Sequence, residues 1–389
     1  MATDRTTYTG NWIHSFPQHY QWSNATLVTK GMAPWGAVAL GEIDQVIQRL
    51  HARITEPEAW WEEWCAMAAR VEQAGDLAAA EKRDATAGNY YIRAGNYYFT
   101  GERMVPPGEQ KTGIYRKSLR CFHEGLRRRY ANIEFVDVPY EDSALPAYFM
   151  KSPVAKGPAP TVVMFDGLDN CKEMSVLFGG IELAHRGFHV LAIDGPGQGE
   201  ALRLRNLPSR YDYEVPATAA YNYVASRSDV AADRVALMAY SAGGYYAPRA
   251  VAFEKRYRAC VAWGAHYDYH AAWEVRWKAM QANASGSATS HFQLPWVLGV
   301  ANIEIAMEKM KKFTLEGVAD KIECPILICH GEGDLLTPPS IGQQLYDNAG
   351  SRDKTLKFFS AEEGGDQHVQ VDNRQVGIDY IGDWLASRL

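Results

Sequence analysis

Ala239-Tyr240-Ser241-Ala242-Gly243-Gly244 sets a serine among small residues, after an apolar run and before a helical pattern. A serine on a tight strand-to-helix turn stands exposed above a sheet with a helix N-terminus beneath it, the position of a nucleophile. Such a turn is crowded. Ala239 stands where a first glycine is commoner, and Gly243 keeps the second. The bland alternative is a serine N-cap in an ordinary turn. A serine hydroxyl is a weak nucleophile alone and needs a base, which in turn needs an orienting acid.

Both partners follow in the chain order Ser, acid, His. Gly331-Glu332-Gly333-Asp334-Leu335-Leu336-Thr337-Pro338 comes after an apolar run, where Asp334 is the favoured acid and Glu332 the alternative. Gly364-Gly365-Asp366-Gln367-His368 follows the last apolar run and holds the only histidine beyond position 330. His368 would take the Ser241 proton, while Asp334 would hold the imidazole tautomer and stabilise its charged form. Two backbone N–H groups are needed for the oxyanion. Ala242 supplies one by following the nucleophile. Leu168, in Asp166-Gly167-Leu168-Asp169-Asn170, supplies the other, with Gly167 allowing close approach.

Three further patterns compete for attention. Asp194-Gly195-Pro196-Gly197-Gln198-Gly199 is glycine-rich, but no Lys-Ser/Thr pair follows, so a structural turn is favoured over a phosphate loop. His266, Asp268 and His270 are weak metal candidates: Gly264 and the neighbouring tyrosines suggest a loop, and no Cys/His cluster supports them. No metal and no cofactor is expected. Tyr240, Tyr267, Trp273 and Glu274 are candidate substrate contacts, with Tyr269 and Trp277 beside them; for the insertion residues, core packing of the inserted helices is the equal alternative.

The elements that must position these residues are legible from periodicity. Short apolar runs at Thr161–Phe165, Phe188–Ile193, Arg234–Tyr240, Ala259–Trp263, Pro325–His330 and Thr355–Phe359 alternate with amphipathic stretches, predicting a mostly parallel sheet with helices on both faces. Asn132–Val138 and Leu145–Met150 precede them as two strands joined by a turn, and a last helix covers Val376 to Leu389. Residues 266–318 are too long for a crossover and predict a helical insertion over the strand ends, where such sheets place ligands. Residues 1–130 read as helical. Ile43, Val46, Ile47 and Leu50 repeat at helical spacing, Thr55 and Pro57 suggest a helix start, Asp76–Thr100 follows, and a further helix covers Lys111–Arg129.

Composition narrows the class. The chain has 389 residues, 47% hydrophobic and 22% charged, with a net charge of -6. That balance argues against nucleic acid or an anionic membrane as partner. The six cysteines lack C-x-x-C spacing and several sit in apolar runs, which suggests free thiols in a reducing compartment. With no signal-peptide pattern and no long apolar run, a cytoplasmic protein acting on a small molecule is expected.

These motifs together resemble a subgroup of the α/β-hydrolases: the 2,6-dihydroxypseudooxynicotine hydrolases, the fungal pigment-pathway heptaketide hydrolases and the fermentation-respiration switch protein group. The likeness runs over most of the chain, through Tyr90-Tyr91-Ile92-Arg93-Ala94, Asp166-Gly167-Leu168-Asp169 with Lys172-Glu173, Asp194 to Gly199, Ser241 to Gly244, Asp334 and Gly365-Asp366-Gln367-His368. It implies the α/β-hydrolase fold, a lid made by the N-terminal helices with the insertion, a homodimer, and hydrolysis of a carbon–carbon bond next to a ketone in an aromatic or polyketide-type substrate. A carboxylesterase or lactonase, an acyltransferase, and a non-catalytic binding protein are the competing readings. The expected organisation is a helical region over 1–130 and a catalytic region over 131–389.

Overall fold

The computed structural model describes residues 11–282 and 287–389. Five helices come first: α1 (Tyr20–Lys30), α2 (Leu40–His51), α3 (Ala59–Ala80), α4 (Asp84–Glu102) and α5 (Glu109–Arg129). In α2 the apolar stripe Ile43, Val46, Ile47 and Leu50 is buried, as its spacing requires. The start expected at Thr55 moves to Ala59, because residues 52–58 form turns and no side chain caps the helix. The expected division near Gly75 also moves. Apolar packing carries α3 on to Ala80, and left-handed Lys82 (φ 59°) ends it.

The sheet has eight strands: β1 (Ile133–Tyr140), β2 (Ser143–Met150), β3 (Ala159–Phe165), β4 (His189–Ile193), β5 (Val230–Tyr240), β6 (Ala259–Trp263), β7 (Ile326–Gly331) and β8 (Lys354–Phe359). Their order is β1-β2-β4-β3-β5-β6-β7-β8. The β1–β2 and β2–β4 pairs are antiparallel, and every later pair is parallel. β4 and β6 are buried along their whole length, as strands covered on both faces must be, while edge strand β8 is half-buried.

Helices α6 (Lys172–Ser175) and α7 (Ile181–His185), joined by a π-helical turn, lie with α15 (Arg374–Ala386) against one face. On the other face lie α9 (Glu214–Ala225), α10 (Gly243–Val251) and α14 (Pro339–Asn348), with short α8 (Gly199–Arg203) after β4. The insertion is helical, as expected: α11 (Tyr269–Ala282), α12 (Gln293–Leu298) and α13 (Ile303–Met310). Asn302 caps α13 by accepting from Ile305 N–H at 2.9 Å.

Strand alternation divides the interior in two. Val162, Met164, Ala236, Met238 and Tyr240 point into a core shared with α7, α15 and the N-terminal helices. Val163, Phe165, Leu237 and Ala239 point into a second core with α9, α10 and the insertion. Thus the N-terminal helices pack on the central sheet itself. All six cysteines are free thiols. Among the described residues, no helix is long and apolar enough to cross a membrane.

Candidate active site

β5 ends at Tyr240 and α10 begins at Gly243, so the chain must reverse within two residues. Ser241 does this with a left-handed backbone, φ 58°, a conformation unusual for a residue with a side chain. Its neighbours must be small. A Cβ on Gly244 would lie 2.3 Å from the Gly264 carbonyl oxygen, and one on Gly243 would lie 2.6 Å from the Ala239 Cβ. Ala239 is therefore tolerated because Gly243 leaves the room.

The Ser241 hydroxyl is 2.8 Å from His368 Nε2, and His368 Nδ1 is 2.7 Å from Asp334 Oδ2. The second Asp334 oxygen, Oδ1, accepts from Leu336 N–H and Thr337 N–H, each at 2.8 Å. Burial alone would raise the Asp334 carboxyl. The charge and hydrogen bond of His368, then His330 and the Thr337 N–H, outweigh it and hold the group below the ordinary carboxylate range. It is an anion at neutral pH. His330 is itself buried, which pushes its pKa down to about 4, and its Nε2 accepts from Ala265 N–H at 2.9 Å.

Across from Ser241 runs the loop after β3. A Cβ on Gly167 would stand 3.0 Å from the Ser241 Cβ, so the missing side chain is what lets this backbone approach. Among the described residues, neither Leu168 N–H nor Ala242 N–H has an acceptor within the protein. Both donors are free. Such an array can deprotonate the serine, deliver it to a carbonyl carbon and receive the resulting oxyanion.

With this geometry in hand, the chain can be placed among known proteins. Residues 55–275, more than half of the chain, match the family model described as esterase FrsA-like. The chain belongs to the FrsA-like esterase family. Residues 295–361 also match the model described as serine aminopeptidase, S33. It is thus a hydrolase of the α/β-hydrolase fold. Alpha/beta hydrolase xenA of Xenoacremonium sinensis is 29% identical over 367 residues, 84% of this chain and 83% of that protein. The 20-hydroxy-prefusarin hydrolase FUS2 of Gibberella moniliformis is 26% identical, with 92% and 94% covered. The crystal structure of 2,6-dihydroxy-pseudo-oxynicotine hydrolase superposes with a TM-score of 0.75 at 21% identity, covering 92% of this chain and 95% of that one.

Of the candidate substrate contacts, Tyr240, Tyr267 and Trp273 are buried and Glu274 is exposed. Tyr240 follows strand alternation into the core beneath the sheet, where its hydroxyl meets the Asp166 carboxyl and its ring packs on Phe178 at 4.7 Å. Tyr267 is buried against the insertion, its carbonyl accepting from Leu315 N–H. Trp273 is fully buried and, with Tyr269, packs around Arg276, which donates to the Leu336 carbonyl at 3.0 Å. These aromatics therefore support, through Arg276, the loop that carries Asp334. Glu274 faces solvent on α11, and so does Glu332, the alternative acid. His266 bonds Thr337 Oγ1 at 3.2 Å while Asp268 accepts from Ala271 N–H at 3.0 Å. Among the described residues, no three His, Cys, Asp or Glu side chains gather as metal ligands.

The residues around the mouth come from an unexpected quarter. A small cavity beside His368 is lined by His14, Tyr20, Ser23, Asn24 and Leu335, among others. Burial, and then the nearby Asp334 charge, push the Tyr20 phenol up to about 12, so it stays a neutral donor. Helix α1 carries no apolar stripe to betray it: Ser23, Thr26, Thr29 and Lys30 are all buried. The only signal was the local density of Trp, His and Tyr before residue 23.

Proposed function

We propose that this chain is a serine hydrolase in which Ser241 attacks, His368 serves as base and then acid, and Asp334 orients the imidazole. Ala242 and Leu168 N–H groups receive the oxyanion. The observation that carries the reading is the relay of 2.8 and 2.7 Å from Ser241 through His368 to Asp334, set on a left-handed turn. The bond cleaved is a carbon–carbon bond adjacent to a ketone, in an aromatic or polyketide-type substrate. Ser241 adds to the ketone, the tetrahedral oxyanion collapses, and a stabilised carbanion or enolate leaves and takes its proton from His368. Water activated by His368 then hydrolyses the acyl-enzyme.

Support for this bond comes from relatives named for a prefusarin and for a dihydroxy-pseudo-oxynicotine. Support for the second reading, a carboxylesterase or lactonase with the same machinery, comes from the family's description as an esterase. Helix α1 and the insertion serve as the lid in either case. The test is a panel of aryl esters beside aryl β-diketones. Diketone cleavage with slow ester turnover is expected; rapid ester turnover without diketone cleavage overturns the carbon–carbon assignment. Fluorophosphonate labelling of the native chain, lost in Ser241→Ala, is expected for the nucleophile. Labelling that persists in Ser241→Ala overturns it.

A further inference from the structure

The glycine-rich segment Asp194 to Gly199, with Arg203 after it, grips the backbone of the loop that carries Leu168. Gln198 is fully buried and spends its amide inside the protein. Its Oε1 accepts from Gly195 N–H at 2.9 Å, and its Nε2 donates to the carbonyls of Asp166 at 2.5 Å and Gly167 at 3.4 Å. Gly199 N–H donates to the Asn170 carbonyl at 2.6 Å. Arg203 Nη1 donates to the Asp169 carbonyl at 2.8 Å. Four consecutive or near-consecutive carbonyls, on both sides of Leu168, are therefore held from one segment.

We infer that Gln198 and Arg203 are positioning residues for the oxyanion hole, fixing the direction of the Leu168 N–H. This rests on the reading of Ser241 as nucleophile and Leu168 as oxyanion donor. The geometric reason is elementary. The Gly167 carbonyl and the Leu168 N–H belong to one planar trans peptide, so they point in opposite directions. A carbonyl held toward Gln198 turns the N–H to the opposite side of the loop. On the far side of the donor, Asp169 is held in a left-handed conformation, φ 51°. Arg203 binds its carbonyl, and Gln293 from α12 donates to its Oδ1 at 2.5 Å. A flip of the Gly167–Leu168 peptide would pull the Gly167 carbonyl off Gln198, while the holds on Asp169 fix the chain just beyond the donor.

Arg203 also joins the loop to the N-terminal helices. Its guanidinium forks onto Glu102 of α4 at 2.8 and 3.0 Å, and Glu102 takes Lys111 of α5 at 3.1 Å. All three side chains are buried. The oxyanion loop is thus braced by the helical region and the insertion as well as by the sheet.

The test compares Gln198→Met, which keeps the volume and loses the donor, with Arg203→Lys, which keeps the charge and loses the fork. Both are assayed by aryl-ester turnover, fluorophosphonate labelling, trifluoromethyl-ketone affinity and thermal unfolding, with Ser241→Ala alongside. For Gln198→Met, kcat and trifluoromethyl-ketone affinity should each fall ~10- to 100-fold, since the oxyanion donor loses its direction. KM should stay within about threefold, because ground-state contacts are untouched. Arg203→Lys should change the same quantities in the same sense, and it carries the test if Gln198→Met does not fold. A folded variant with kcat and trifluoromethyl-ketone affinity like the native chain, whatever its thermal stability, overturns the inference. Labelling that survives in Ser241→Ala instead overturns the reading beneath it, so the two failures are distinguishable.

Discussion

Replacing Asp334 by Asn keeps the shape of the acid and removes only its charge and acceptor. Asp334 Oδ1 is engaged by Leu336 N–H and Thr337 N–H at 2.8 Å each, so an asparagine would turn its oxygen to those donors. Its NH2 would then face His368 Nδ1 at the position where Oδ2 now sits, 2.7 Å away. An N–H there donates to Nδ1 and forces the proton onto Nε2. That tautomer donates to Ser241 and cannot accept its proton. The lost charge adds to this. An imidazolium and a carboxylate about 4 Å apart attract by about 4 kcal/mol at an effective dielectric of about 20. That alone is about a thousandfold in rate. With the tautomer misplaced, kcat on an aryl ester should fall by about three to four orders of magnitude while KM holds. Fluorophosphonate labelling should slow in parallel. A folded Asp334→Asn protein keeping more than about a tenth of the native kcat would refute the relay reasoning.

Acid stability gives a second expectation. His330 has its pKa pushed from 6.5 to about 4 in the folded chain, chiefly by burial. The unfolded chain therefore binds the extra proton between those values, and stability falls as pH drops through that window, by about 3 kcal/mol from this group. His330→Gln keeps an acceptor for Ala265 N–H and removes the titration. Urea unfolding at pH 7 and pH 4.5 should show a smaller difference for the variant than for the native chain. Gly244→Ala drives a methyl to 2.3 Å from the Gly264 oxygen, and should cost about 1–3 kcal/mol by thermal unfolding as well as fluorophosphonate labelling. An unaltered midpoint would argue against the crowded turn. Tyr20→Phe removes one hydroxyl beside His368 and should raise KM for a hydroxylated aromatic substrate by about fivefold, with labelling unaffected.

Much of the candidate site was legible because it depends on local chain events. Ser241 and Asp334 lie just beyond β5 and β7, and His368 lies in the loop after β8; strand ends on one edge of a parallel sheet converge whatever fills the sequence between them. Leu168 was reachable by the same logic. Tyr240, by contrast, sits beside Ser241 in sequence and below the sheet in space, because strand alternation sends successive side chains to opposite faces. Trp273 and Tyr267 are aromatic residues of the insertion, yet both are buried in its apolar core. Glu274 and Trp273 illustrate how a single residue step, about 100° around a helix, decides between solvent and core. No local pattern could show which turn faced which way, since that is set by how α11 docks.

The N-terminal helices were read as a separate region, and the chain does pass from helix to strand between Arg129 and Ile133. Packing makes the division one of sequence rather than of physics. Trp22, Trp60, Trp64 and Phe122 share one apolar core with Met164, Met238, Trp263 and Leu385. The buried fork between Arg203 and Glu102 crosses the same junction, and a buried charge left without its partner costs about 3–5 kcal/mol. Tyr20 and Asn24 then reach from α1 to the cavity beside His368. Three kinds of contact, apolar, ionic and site-lining, run across one boundary. A helical region that only covered a finished site would need the last alone. The contacts of Arg203 with Glu102 on one side and Asp169 on the other show instead that the helices and the sheet hold the candidate site together.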